Sequence, residues 1–127
     1  MSEGIFFTSA EHRVGFLTAM QGIDKVYDGK LDQEYGAALY ILTSSTGLWQ
    51  KSQDYVSRSG IDFETMLEEI DFSGGYSVLV KLASNLFNSN THLDPVELMR
   101  LDDTNFAVAL NAIQLRRTSL HLKEQKA

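Results

Sequence analysis

Ser73-Gly-Gly-Tyr-Ser-Val-Leu-Val-Lys-Leu-Ala-Ser-Asn-Leu-Phe-Asn88 is the stretch that decides the fold. Stepped at about 100° per residue, Ser77, Lys81, Ser84, Asn85 and Asn88 fall inside one arc of roughly 100°. Val78, Leu79, Val80, Leu82, Ala83, Leu86 and Phe87 fill the rest of the circle. An apolar face that wide predicts a helix packed by neighbours on two or three sides, at the centre of a bundle. Gly74-Gly75 at its start costs about 1 kcal/mol per glycine relative to alanine, a cost that close backbone packing would explain.

On either side the sequence predicts more helices. Thr8 with Glu11 three residues on is a capping box for a first helix carrying Val14, Leu17 and Met20. Asp32 caps a second, in which Tyr35, Ala38, Leu39 and Leu42 recur at helical spacing. Leu48, Trp49, Ser52, Tyr55 and Val56 form a shorter helix that stops near Ser59-Gly60, and Asp62 caps another bearing Phe63, Met66, Leu67 and Ile70. Asp94-Pro95 starts a two-turn helix, and Asp102 caps a last one over about 103 to 118. No stretch alternates as a half-buried strand should, and no internal repeat is evident. The expectation is an all-α single domain, 1–127, of about six or seven helices around the one at 74–88.

The 127 residues suffice for one core. With no cysteine, disulfides, thiolate-bound zinc and cysteine nucleophiles are excluded. The N-terminal residues lack the pattern of a secretory signal, and no run is apolar enough to span a membrane, so the expected setting is cytoplasmic. Acidic residues dominate 1–112, with 16 Asp and Glu against 7 Lys and Arg, while Arg116, Arg117, Lys123 and Lys126 outweigh Glu124 in the last fifteen. A pI near 4.9 argues against a nucleic-acid module, and the basic tail complements the negative end of the last helix dipole.

Lys81-Leu-Ala-Ser-Asn-Leu-Phe-Asn-Ser89, Leu93-Asp-Pro-Val-Glu-Leu98, Leu101-Asp-Asp-Thr-Asn-Phe106 and Ala109-Leu-Asn-Ala-Ile-Gln-Leu-Arg116 together resemble a family of small all-helical proteins of bacteria and their phages. The likeness is densest over 78–117. It implies a helical fold and a bacterial or phage source. The family has no established activity, so no functional residue carries over.

Candidate chemistry is sparse. His12, His92 and His121 lie on separate segments, none with a second histidine near it or a Glu-x-x-His pattern, and the expectation is surface histidines. Glu68, Glu69, Asp71, Asp102 and Asp103 are adjacent pairs that diverge by about 100° on a helix, unlike an acid and base facing one site. There is no Gly-x-Ser-x-Gly elbow, Walker loop or dinucleotide fingerprint. No cofactor is implied.

The most suggestive feature is on the last helix. Phe106, Ala109, Leu110 and Ile113 read as its inner face, yet Val108, Ala112, Leu115, Ser119 and Leu122 form a second stripe at heptad-like spacing. Either the N-terminal helix folds over that stripe or another chain does. A small core must use its long helices on both sides, which favours the first; an open stripe would be a dimer face. Tyr27, Tyr40, Trp49, Tyr55 and Tyr76 read as core-edge rings that also suit an interface. The leading functional expectation is a non-enzymatic protein acting through protein contacts, self-associating through the last helix. The alternative is a DNA-associated regulator using Lys81, Asn85 and Asn88 with Arg116 and Arg117. The third is a small-ligand or metal-assisted enzyme with its site between helices.

Overall fold

A single apolar cluster gathers side chains from every helix, and the helix at its middle is α2, Gln33–Leu42. All eight residues from Tyr35 to Leu42 are buried, so α2 has no outward face beyond its first turn. The computed structural model describes residues 5–88 and 91–118. Around α2 stand α1 (Ala10–Gly22), α3 (Thr46–Ser52), α4 (Phe63–Glu69), α5 (Gly74–Asn88) and α6 (Asp103–Arg117), with short 3₁₀ segments at Gln53–Tyr55 and Pro95–Arg100. The fold is all-α, as its periodicity predicts, and no described helix is long and apolar enough to cross a membrane.

The helix at 74–88 has the expected ends, but it is a wall, not the axis: α5 and α6 both pack broadly on α2 and more narrowly on each other. Its glycines have separate reasons. Gly74 sits at φ +28°, where a side chain would strain the backbone. A Cβ on Gly75 would lie 3.3 Å from Leu101 and 3.5 Å from Asn105, so the glycine lets the start of α5 approach the start of α6.

Helix starts follow local chemistry. Asp32, Asp62 and Asp102 each accept the backbone N–H three residues on, at 2.9, 3.1 and 2.8 Å, and Asp94 accepts from Val96 at 3.1 Å. Pro95 follows the Asp94 cap as expected, although the segment it opens is 3₁₀. The first helix differs from expectation. Its cap is Ser9, which accepts from the His12 N–H at 3.0 Å, while Thr8 turns toward the His12 ring.

Two hairpins were not foreseen. β1 (Val26–Tyr27) pairs antiparallel with β2 (Lys30–Leu31), and β3 (Val56–Ser57) with β4 (Gly60–Ile61). The third helix therefore stops at Ser52, and Val56 belongs to a strand. Asp28 and Gly29 form the first turn at φ 54° and 80°, as a two-residue turn with two left-handed positions requires.

The hairpins also reveal a repeat. Asp24, Val26, Leu31, Asp32 and Glu34 recur thirty positions later as Asp54, Val56, Ile61, Asp62 and Glu64, without a gap. The registers match, Val26 with Leu31 and Val56 with Ile61. In each unit the capping aspartate also donates its own N–H back to the residue before the hairpin, Asp32 to Lys25 at 3.1 Å and Asp62 to Tyr55 at 2.9 Å. The two units meet. The Tyr35 hydroxyl lies 2.8 Å from the Ser57 carbonyl oxygen and 3.1 Å from that of Arg58, and Arg58 pairs with Asp24 at 3.2 Å on the exposed surface. The ring of Phe87, at the end of α5, stands 5.0 Å from Tyr35 and 5.9 Å from Phe63.

Candidate functional site

The outer face of α6 follows from what its inner face must do. Stepping at about 100° per residue from Val108, the residues Ala112 and Leu115 lie within roughly 40° of it, and Ala109 within roughly 100°. All four are buried. This is the stripe for which cover by the N-terminal helix was the favoured expectation and a dimer face the alternative: Val108, Ala112 and Leu115 are covered within the chain and so are not an open interface, but the cover comes from α2 and then α5 instead of the N-terminal helix. Ser119 and Leu122 lie outside the described residues.

The converse correction concerns the face expected to be inner. Leu110 is 50 % exposed and Ile113 37 %, with Phe106 only partly covered. Phe106, Leu110 and Ile113 fall within roughly 60° of one another, opposite Val108. Asp103 and Arg117 lie on the same arc, so the outer strip reads Asp103, Phe106, Leu110, Ile113, Arg117, at intervals of three and four residues. Beside α6, the 3₁₀ segment Pro95–Arg100 adds two more exposed apolar side chains, Val96 and Met99.

Helix axes approach closely only where side chains are small, and the α2–α6 contact is made by helices carrying buried Ala37, Ala38, Ala109 and Ala112. Of the larger apolar residues of α6, Leu115 is buried, while Leu110 and Ile113 are left for the outside. An exposed strip of this kind, flanked by opposite charges at its ends, is chemistry for binding a protein surface.

The residues proposed for nucleic acid are placed otherwise. Asn85 donates to the Thr91 carbonyl oxygen at 2.8 Å, and buried Ser84 shares a 2.5 Å hydrogen bond with the Thr91 hydroxyl. Arg116 donates through Nε to the Leu86 carbonyl oxygen at 2.8 Å, and its guanidinium lies 3.6 Å from Glu34. Lys81 is half-buried, Asn88 and Arg117 exposed. The face drawn as a reader of base edges is thus largely engaged in holding α5, α6 and the start of α2 together.

One histidine and four aspartates are likewise committed to structure, Asp32, Asp62, Asp94 and Asp102 as caps. His12 is buried, contrary to the surface position expected of it, while His92 is exposed. The His12 Nδ1 accepts the Thr8 N–H at 3.1 Å, which places the ring proton on Nε2, 2.8 Å from the Tyr40 carbonyl oxygen. Burial lowers its pKa, against a smaller raising effect of the Tyr40 contact. Tyr40, fully buried, donates to the Phe6 carbonyl oxygen at 2.6 Å, and burial pushes its hydroxyl well above the usual range. Of the other amphipathic rings, Trp49, Tyr55 and Tyr76 pack half-buried on the core and Tyr27 is half-exposed.

A hollow of about 480 Å³ is lined by Ile61, Asp62, Phe63, Glu64, Ser84 and Asn88. Of its two carboxylates, Asp62 already caps α4. Among the described residues no three His, Asp or Glu side chains converge as a metal site needs.

Comparison with known protein families, with curated proteins and with solved structures gives no match. The geometry of the chain alone carries the functional argument.

Proposed function

We propose that this protein works by contact and not by catalysis, as a small helical module that self-associates through the outer face of α6. The observation that carries this reading is the placement of Leu110 and Ile113 outward, with Phe106 beside them, on a helix whose opposite face already fills the core. A folded chain that exposes large apolar side chains in register, with the opposite face of the same helix already filling the core, has kept them for another surface. The titratable groups support the same view, since Asp32, Asp62, Asp94 and Asp102 serve as caps and His12 is hydrogen-bonded on both ring nitrogens. A bacterial or phage source and a cytoplasmic setting belong to this proposal. The test is sedimentation velocity of the full chain from about 10 μM to about 1 mM, a span reaching the weak end of specific association. Self-association predicts a sedimentation coefficient that rises with concentration in wild type and stays that of a monomer in Leu110→Glu. A wild-type value independent of concentration would refute the proposal.

A further inference from the structure

The charges at the two ends of the α6 strip constrain how a second copy sits on it. This inference rests on the self-association proposed above and adds its geometry. Asp103 and Arg117 lie seven residues before and seven residues after Leu110, and both are exposed. Among the described residues neither has an ion-pair partner in its own chain, whereas the neighbouring Arg116 does. We infer that two copies pair antiparallel along α6, with the two-fold axis passing at Leu110 and Asp103 of each copy beside Arg117 of the other.

Three features of α6 select this arrangement. Asp103 and Arg117 are equidistant from Leu110, with Phe106 four residues before it and Ile113 three after, so a two-fold axis at Leu110 lays Phe106 of one copy near Ile113 of the other and each acidic end on a basic end. Its intervals of three and four residues keep Asp103, Phe106, Leu110, Ile113 and Arg117 along one seam for the length of the helix. Antiparallel pairing also sets the positive N-terminal end of each α6 dipole beside the negative C-terminal end of the other, whereas parallel pairing would set Asp103 against Asp103 and Arg117 against Arg117.

Area fixes the strength. The 15 residues of α6 extend about 22 Å, and a helix is about 10–12 Å across, so the pair covers roughly 500 Å² in all. Stable specific interfaces bury about 1,200 Å² or more, so α6 pairing is a weak, concentration-dependent association, the kind in which two ion pairs decide the outcome.

The chain lacks cysteine, so a single introduced thiol reports the geometry without interference. The experiment uses full-length wild type, Asp103→Arg, Arg117→Asp and the double variant, followed by sedimentation across the same concentration series, with circular dichroism to confirm the fold. Each single reversal is expected to weaken self-association at least about tenfold, since it places like charges together twice per dimer. The double variant restores wild-type behaviour, and so does an equimolar mixture of the two single variants. Leu110→Cys is expected to cross-link to a covalent dimer with a short bismaleimide, whereas Val14→Cys, on the exposed side of α1, stays monomeric. If wild type associates but the single reversals associate equally well, or the double variant fails to recover, the antiparallel arrangement is overturned while self-association stands. If wild type stays monomeric throughout, both fall.

Discussion

Replacing His12 by leucine tests the innermost polar contact of the fold. Helix α2 ends at Leu42, so its last carbonyls have no partner within the helix. Thr43 supplies the Leu39 oxygen and Ser44 the Ile41 oxygen, each through backbone and hydroxyl, and the Tyr40 oxygen between them is supplied by the His12 Nε2–H at 2.8 Å. Leucine fills the space but donates nothing. Leaving that buried carbonyl bare costs about 1–3 kcal/mol, and the half-buried Thr8 N–H adds less because water reaches it. Loss of the ring contacts, 5.0 Å to Phe7 and 4.6 Å to Tyr40, adds about 0.5–1.5 kcal/mol. A total near 3 kcal/mol, set against an unfolding entropy of roughly 270 cal/mol/K for a chain of this length, lowers Tm by about 11 °C at pH 7.5. His12→Gln, whose amide can still donate, should lose about half as much.

The same variant carries a pH signature. Burial lowers the His12 pKa in the folded protein below its ordinary value of 6.5, so the unfolded chain takes up the proton first. The stability tied to the neutral ring is therefore complete above about pH 6.5 and is lost as pH falls below it, until the buried ring itself protonates. A proton on Nδ1 would also face the Thr8 N–H, donor against donor. Thermal melts followed at 222 nm should show wild type declining between pH 6.5 and 5 and His12→Leu nearly flat over that window. A leucine variant that melts within about 2 °C of wild type at pH 7.5, with the wild-type slope intact, would refute the argument.

Other outcomes follow from the same structure. Val108→Asp should cost more than about 3 kcal/mol because it buries a charge, while Leu110→Glu stays within about 0.5 kcal/mol, as denaturant unfolding of dilute protein would show. Asp32→Ala and Asp62→Ala should each cost about 1 kcal/mol, with similar values expected because the two caps occupy equivalent places in the repeat; urea midpoints compare them directly. Tyr35→Phe removes the tie to the second hairpin and should cost about 1 kcal/mol, with hydrogen exchange quickening in both turns.

Features written in local chemistry were legible in the sequence, and those that depend on distant partners were not. Helix α5 could be read from its run of apolar residues at helical spacing, and the starts of α2, α4 and α6 because an aspartate caps the chain that follows it, whatever packs above. The hairpins escaped because strands of two residues have no alternation to display, and the repeat escaped with them, its five matching positions being spread over eleven. On α6 both faces are apolar, so periodicity located the stripes but not which one turned inward. Each stripe as read held one alanine, Ala109 beside Phe106 and Leu110 and Ala112 beside Val108, so size did not separate them either. His12 carried no mark at all, since the carbonyl that captures it lies 28 residues away.

Phe87 gives the repeat a mechanical consequence. Its ring touches Tyr35 in the first unit and Phe63 in the second, making the tip of α5 a keystone against which both halves lean. Trimming it to alanine would slacken the two hairpins as a pair, while the corner built on His12, Phe7 and Tyr40 at the other end of α2 kept its grip, so the protein would come apart from one side.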